Sequence, residues 1–183
     1  MGYRIAFVLA LVFTGFAGCG LLRAQTSLPD GVRVDRLVVD KSDGRMWAYD
    51  GDTEVGAYRV AVGRGGLGAK RWEGDGRTPE GTYRIDSRHH SENYHRFLHV
   101  SYPEREDHQR YSDLRAEEEI PLDGDLPVGI GGAIGIHGTG SNLLTRLLGR
   151  SVNTTQGCIL VSNDEAEELY SAVVTGATIE IRE

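Results

Sequence analysis

Apolar and polar residues alternate along the first half of the chain in the manner of β-strands. Three such runs follow one another, at residues 32–39, 46–49 and 55–62. The dipeptides Asp43-Gly44 and Asp50-Gly51 separate the runs, and both are typical of tight turns between strands. This pattern predicts an antiparallel meander of three strands.

Shorter apolar runs predict further strands in the rest of the chain. They lie at residues 82–85, 97–102, 134–137, 157–161 and 178–181. The glycine-rich stretch 63–79 is expected to be a loop, and it lacks the Gly-Lys-Ser/Thr ending of a phosphate-binding loop. The charged segment 103–119 predicts an exposed helix that Pro121 stops.

Four histidines fall close together in the sequence, namely His89, His90, His95 and His99. Such a cluster raises the question of a metal site, but no cysteine or paired carboxylate nearby completes one. The sequence therefore favours a solvated loop, and no metal is expected.

Two more helices are predicted near the end of the chain. Ser141 is suited to cap a short helix over residues 142–148. Residues 162–165, Ser-Asn-Asp-Glu, match a capping box, in which the serine hydroxyl and the glutamate carboxylate each accept a hydrogen bond from a backbone amide. The helix behind this box is expected to end at Gly176, and it carries an apolar stripe at Ala166, Leu169, Tyr170 and Val173.

The composition adds limits to this picture. A chain of 183 residues with 25 glycines favours one domain of strands and turns. The net charge of −7 argues against nucleic acid or anionic lipid as the partner. With two cysteines in the whole chain, no disulfide framework is available.

The N-terminus has the pattern of a targeting segment over residues 1–18. Arg4 is followed by an apolar run from Ile5 to Phe13, which is too short to span a bilayer. The sequence Phe16-Ala17-Gly18-Cys19 then resembles a bacterial lipobox, so Cys19 is the expected site of lipidation and residues 19–32 a tether. Gly20 after the cysteine implies, by resemblance to sorted lipoproteins, an outer-membrane location. A plain signal peptide cut after Ala24 is the alternative.

Cys158 is the only cysteine beyond the N-terminal segment that contains Cys19, and His137 stands 21 positions before it. A lone thiol with a histidine available to deprotonate it is a candidate nucleophile. The alternative is a buried free cysteine that acts as a small apolar residue.

The residues around this pair resemble a known family signature. His137-Gly138 followed by the segment 155–158, Thr-Gln-Gly-Cys, is similar to the signature of the L,D-transpeptidases (YkuD type). The segment 77–83, Arg-Thr-Pro-Glu-Gly-Thr-Tyr, is similar to the family's Thr-Pro-x-Gly segment, and residues 162–166 match after the cysteine. The resemblance spans residues 33–182. It implies a mainly β domain, a sandwich or barrel of mostly antiparallel strands with a few short helices.

The sequence departs from the family at Gln156, where a second histidine usually precedes Gly-Cys. His137 is therefore the one available base, and its other ring nitrogen is implied to rest on the Gly138 carbonyl. The backbone amides of Gln156, Gly157 and Cys158 are the expected oxyanion hole, with Gly157 allowing a tight turn. Contacts with the substrate are assigned to Gln156, Thr155 and Thr139, and the thiol is expected to titrate below the ordinary cysteine value.

The resemblance implies acyl transfer on peptidoglycan stem peptides at the periplasmic side of the cell envelope. Cys158 would attack the third residue of the stem, form a thioester and release D-Ala, with no metal or organic cofactor. The membrane is expected to be reached only through the lipid anchor. Two rivals remain open at this point. One is an amidase or hydrolase that uses the same pair, and the other is a non-catalytic peptidoglycan-binding lipoprotein.

Overall fold

A computed structural model describes residues 27–141 and 155–183 of the protein. The predicted targeting segment, Cys19, most of the tether and the predicted helix 142–148 lie outside these residues. Within the described ranges, neither of the two helices has the length and apolar character needed to cross a bilayer.

The described chain is mainly β. In order, its elements are β1 (Val34–Asp40), β2 (Arg45–Asp50), β3 (Thr53–Arg59), β4 (Gly81–Ser91), β5 (His95–Val100), α1 (Arg105–Ala116), β6 (Leu122–Asp123), β7 (Leu126–Pro127), β8 (Gly135–His137), β9 (Ile159–Leu160), α2 (Asn163–Ala172) and β10 (Val173–Arg182).

Eight strands form one mixed sheet in the order β3-β2-β1-β10-β4-β5-β8-β9, and β6 pairs with β7 in a separate ribbon. The predicted meander is confirmed, since β1, β2 and β3 pair antiparallel in sequence order. The sheet is mostly antiparallel, as expected, but two pairs are parallel: β1 with β10, and β8 with β9.

The sheet curls until its two ends meet. The segment that continues β3 reaches the opposite edge strand β9, where Ala61 and Leu160 exchange both backbone hydrogen bonds at 2.8 and 3.1 Å. A second bridge joins Gly63 to Thr155. This closure confirms the barrel-like expectation, because the two edges of the sheet pair with each other.

The inner face of the sheet and α2 enclose the apolar core. Its largest fully buried side chains include Leu37, Met46, Ile85, Leu98, Ile136, Ile159, Leu169, Ile179 and Ile181. The predicted capping box is confirmed, since Ser162 Oγ accepts from the Glu165 amide and Glu165 Oε2 accepts from the Ser162 amide. Ala166 and Leu169 are buried where α2 packs against β5 and β8.

The predicted end of this last helix is wrong. The helix ends at Ala172, and β10 begins at once with Val173, so Gly176 lies inside a strand. Val173 is buried, but it pairs with Val34 of β1 and does not belong to the helical stripe. Pairing with two neighbouring strands overrides the helical periodicity here.

The prediction of a solvated loop at the histidine cluster is also wrong. The four histidines lie on β4 and β5, which form a hairpin with its turn between Ser91 and His95. The charged segment forms the predicted helix, α1, but it ends at Ala116 and thus before Pro121. Its one buried side chain, Asp107, accepts hydrogen bonds from the Tyr83 hydroxyl and from Arg110.

Candidate active site

The pairing of β8 with β9 brings the histidine and the cysteine to one face. His137 lies opposite Leu160 in this parallel pair, and Cys158 is two residues before Leu160. Side chains two residues apart on a strand point to the same face, and adjacent strands are about 4.8 Å apart. Cys158, Leu160 and His137 accordingly line one cavity, of about 680 Å³.

The imidazole of His137 is buried, with 6 % of the residue exposed. Its Nδ1 lies 2.8 Å from the Gly138 carbonyl oxygen. A carbonyl only accepts, so Nδ1 carries the proton and Nε2 keeps its lone pair. Burial lowers the pKa of His137, and the bond to Gly138 offsets only part of that effect. The imidazole is therefore neutral at neutral pH and ready to accept a proton.

Asn163, the first residue of α2, holds the chain just after the histidine. Its Oδ1 accepts from the Gly140 amide at 3.0 Å and its Nδ2 donates to the Gly140 carbonyl at 3.0 Å. The Thr139 hydroxyl donates to the same Oδ1 at 3.3 Å. A Cβ at position 138 would lie 2.5 Å from that oxygen, so only glycine fits there.

A tight turn presents the cysteine. The Thr155 hydroxyl donates to the Cys158 carbonyl at 2.5 Å and accepts from the Gly157 amide at 3.3 Å. Gly157 has φ +136°, which side chains rarely tolerate. Because the Gly157 amide is turned to Thr155, the amides of Gln156 and Cys158 remain the candidate oxyanion donors.

The thiol of Cys158 differs from the expectation of a lowered pKa. Burial raises its pKa, and the Gly135 backbone and the Lys70 charge offset only part of the rise. Its Sγ lies 3.5 Å from the Ala133 carbonyl, which accepts a weak hydrogen bond. The neutral imidazole in the same cavity adds no charge that would stabilise a thiolate, so the resting state is a thiol and a neutral base.

A polar loop, residues 63–80, supports the cysteine turn from behind. The Lys70 ammonium donates to Asp75 Oδ1 at 2.7 Å, and both side chains are almost fully buried. The other carboxylate oxygen of Asp75 accepts from the Arg71 amide at 2.7 Å. A Cβ on Gly157 would lie 2.8 Å from the Arg77 carbonyl, so the loop packs directly against the residue before the nucleophile.

The cavity collects most of the residues singled out in the sequence. His137, Gly138, Thr139, Thr155, Gln156 and Cys158 line it, and Gly157 lies behind them. Sequence reasoning missed the role of Asn163, although that residue follows the capping serine in the family-like segment. It also missed Asp75, for which the surrounding glycines were the available signal, and Tyr94, which lines the cavity and gave no signal.

The mainly β fold thus brings a thiol and an imidazole to one cavity. The sequence matches the YkuD family, described as the L,D-transpeptidase catalytic domain, over residues 34–181. The chain belongs to this family. A comparison with curated proteins gave no match.

Solved structures of similar fold come from several bacteria. The helical cell shape determining protein Pgp2 from Campylobacter jejuni is 21 % identical, with a TM-score of 0.56 over 86 % of this chain and 51 % of that one. L,D-transpeptidase 3 from Mycobacterium tuberculosis, in complex with a faropenem-derived adduct, is 14 % identical, with a TM-score of 0.52 over 81 % and 60 %. The L,D-transpeptidase from Xylanimonas cellulosilytica is 16 % identical, with a TM-score of 0.50 over 84 % and 63 %. This chain thus spans about half to two thirds of their lengths, and the likeness concerns the fold.

Proposed function

We propose that this protein is a cell-envelope L,D-transpeptidase that transfers acyl groups between peptidoglycan stem peptides through Cys158. The observation that carries the proposal is the register of β8 and β9, which brings Cys158 and a neutral His137 to one cavity. Family membership supports the same chemistry.

The first step is attack by Cys158 on the carbonyl of the L-centre of the third stem residue. As the C–S bond forms, the thiol proton passes to Nε2 of His137, which its Nδ1 contact with Gly138 leaves unprotonated. The raised pKa of the thiol favours transfer of the proton during attack over a preformed ion pair. The amides of Gln156 and Cys158 stabilise the oxyanion, and one such donor is worth about 3 kcal/mol.

The second half completes the transfer. The tetrahedral intermediate collapses, the C–N bond to D-Ala breaks, and the leaving amine takes the proton from His137. An amine of a second stem then attacks the thioester, and His137 accepts the amine proton. The cross-link forms as the C–S bond breaks, and the departing Cys158 sulfur takes that proton from His137, which regenerates the thiol and the neutral base.

We further propose that Cys19 carries the lipid anchor and that residues 33–182 act on the periplasmic side of the envelope. This rests on the lipobox-like sequence alone. The variant Cys19→Ala is expected to leave the membrane fraction. Unchanged membrane fractionation together with a mature N-terminus at Gln25 would contradict the proposal.

Intact-protein mass spectrometry tests the reaction. The protein is incubated with a tetrapeptide muropeptide, or with faropenem as a second acyl donor, and a mass increase equal to the acyl fragment is expected. The matched control is Cys158→Ser, which replaces sulfur by oxygen and should gain no thioester.

Product analysis with an added amine then identifies the acceptor. A cross-linked product supports the transpeptidase, whereas tripeptide alone would mean that water is the acceptor and the protein is a hydrolase. Absence of any adduct with either donor would contradict a catalytic role.

A further inference from the structure

The imidazole of His137 contacts two aromatic rings, which also contact each other, with the Tyr94 and Phe97 centroids 6.3 Å apart. The Phe97 ring is stacked on it, with centroids 5.9 Å apart and an interplanar angle of 7°, because Phe97 is the cross-strand partner of His137. The Tyr94 ring lies closer, at 4.4 Å and 42°. One ring belongs to the core and the other to the cavity wall, since Phe97 is buried and Tyr94 is 45 % exposed.

Among the residues that the structure describes, the imidazole makes one hydrogen bond, from Nδ1 to the Gly138 carbonyl, and one such bond does not fix the tilt of the ring. The buried Phe97 ring packs beside the imidazole on the core side. On the cavity side the neighbour is Tyr94, which also lines the cavity with His137 and Cys158. The position of Nε2 in the open site therefore depends on where Tyr94 is held.

The turn that carries Tyr94 is fixed at several points. Its carbonyl accepts from the amides of Gly138 and Arg96, at 3.1 and 2.9 Å. The next residue, His95, has φ +67°, an uncommon conformation outside glycine. The side chains of His95 and Arg96 both contact Glu167 of α2, at 3.0 and 2.8 Å. The strained backbone of this turn costs free energy, and the contacts with α2 hold the turn and the half-exposed Tyr94 side chain in place.

From this geometry we propose that Tyr94 is a positioning residue, whose ring holds His137 in line with Cys158 and keeps water from the imidazole. Its catalytic consequence rests on the proposed acyl transfer. The effect of Tyr94 on the pKa of the imidazole does not depend on that proposal and is measured without turnover.

The decisive experiment is an NMR titration of His137 in full-length protein carrying Cys158→Ser, so that no thiol titrates. Tyr94, which contacts the ring, and Cys158, which lines the same cavity, are titratable, while Phe97 from β5 and Asn163 from α2 are uncharged. Tyr94→Ala is expected to move the imidazole pKa up towards the ordinary value of about 6.5, because water then reaches the ring. Tyr94→Phe should leave it unchanged. An imidazole in Tyr94→Ala that titrates as in the parent overturns the inference, as does an equal shift in Tyr94→Phe.

Turnover gives the second readout. Tyr94→Ala should lower kcat by about tenfold with little change in KM, since a displaced base affects the reaction and not ground-state binding. Tyr94→Phe should stay within about twofold. Glu167→Gln, a variant outside the cavity wall, should also lower kcat, but by a smaller factor. Tyr49→Ala, which removes an aromatic ring distant from the cavity, is the control.

The proposed acyl transfer and the positioning role of Tyr94 are contradicted by different results. A parent enzyme without any acyl transfer defeats the proposed function, and the titration still decides whether Tyr94 holds the histidine. Normal turnover in Tyr94→Ala, with an active parent, overturns the positioning role.

Discussion

The two sides of the cavity are built by opposite means. His137 sits in a regular strand against two aromatic rings, beside the apolar contacts of α2 with β5 and β8. Cys158 sits in an irregular turn whose support is the loop 63–80, held by ion pairs with buried lysines and by backbone hydrogen bonds. Apolar packing predominates around the base, apart from the hydrogen bonds of Gly138 and Asn163, whereas polar contacts predominate around the nucleophile.

The difference follows from what each residue has to do. An apolar environment disfavours the charged imidazolium and so keeps a free acceptor for the proton. The nucleophile needs backbone amides aimed at the cavity, and a loop that supplies them buries polar groups that must be paired. Like Lys70, Lys41 has a buried ammonium group that is paired within the loop. It donates to the carbonyls of Gly68 and Thr78 at 2.7 and 3.3 Å and contacts the Glu80 carboxylate at 2.6 Å.

The largest effect is expected when either half of the pair is removed. Cys158→Ser and His137→Ala should each reduce acyl transfer by about a thousandfold or more, and the double variant should be scarcely worse, because the two act as one unit. Steady-state kinetics on a muropeptide measures this. Additive losses would mean that the two residues act independently and that the shared cavity has no mechanistic meaning.

The polar side should be fragile to the loss of one charge. Asp75→Asn leaves the Lys70 ammonium buried without a counter-charge and should cost about 3–5 kcal/mol of unfolding free energy. Urea denaturation measures the loss. The control Arg182→Gln breaks an exposed pair with Asp40 and should cost less than about 1 kcal/mol. Similar costs for both variants would show that the loop does not depend on its buried pair.

Acid provides an independent check on Asp75. Burial raises the pKa of this carboxyl, but hydrogen bonds from Lys70 and from the Arg71 and Arg77 amides outweigh it, so the net shift is downward. A lowered folded-state pKa stabilises the protein above the unfolded value of about 3.9, and the contribution is lost as the pH falls through the folded value. Asp75→Asn should lack this part of the acid dependence.

On the apolar side, the unfolding free energy should fall when a packed side chain is shortened, and this loss should not depend on charge. Leu169 is fully buried under the sheet, so Leu169→Ala should cost about 2–5 kcal/mol, with little dependence on pH. Leu126→Ala is the matched control, because Leu126 is 73 % exposed, and it should cost less than about 0.5 kcal/mol. A loss for Leu169→Ala as small as that of the control would contradict the packing of α2.

The smallest effect is expected at Gln156. Gln156→Ala should leave the pH profile of Cys158 alkylation unchanged, because burial sets the pKa of the thiol and Gln156 carries no charge. In both proteins the midpoint should lie above the ordinary thiol value of about 8.5. A midpoint below that value would restore the idea of a resting thiolate. In Gln156→Ala the KM should rise and kcat/KM should fall, as expected of a residue that binds the substrate.

Local pattern determined much of this protein. The three-strand meander, the capping box at Ser162 and the short strands around His137 and Cys158 follow from residue periodicity and turn chemistry, which act over a few positions. The His-Gly and Thr-x-Gly-Cys segments, together with residues 77–83 and 162–166, indicated the family, which the match over residues 34–181 confirms. The meander and the capping box are stabilised by contacts between segments close together in the chain.

Only the tertiary structure decided the rest. The parallel pairs β1–β10 and β8–β9 join segments far apart in sequence, and no local pattern specifies their register. The same distance hides the Tyr94 contact with His137 and the packing of the loop that holds the Lys70–Asp75 pair against the turn before Cys158. Burial lowers the pKa of His137 and raises the pKa of Cys158. Because burial depends on which distant elements cover a group, the sequence alone did not predict the direction of either shift.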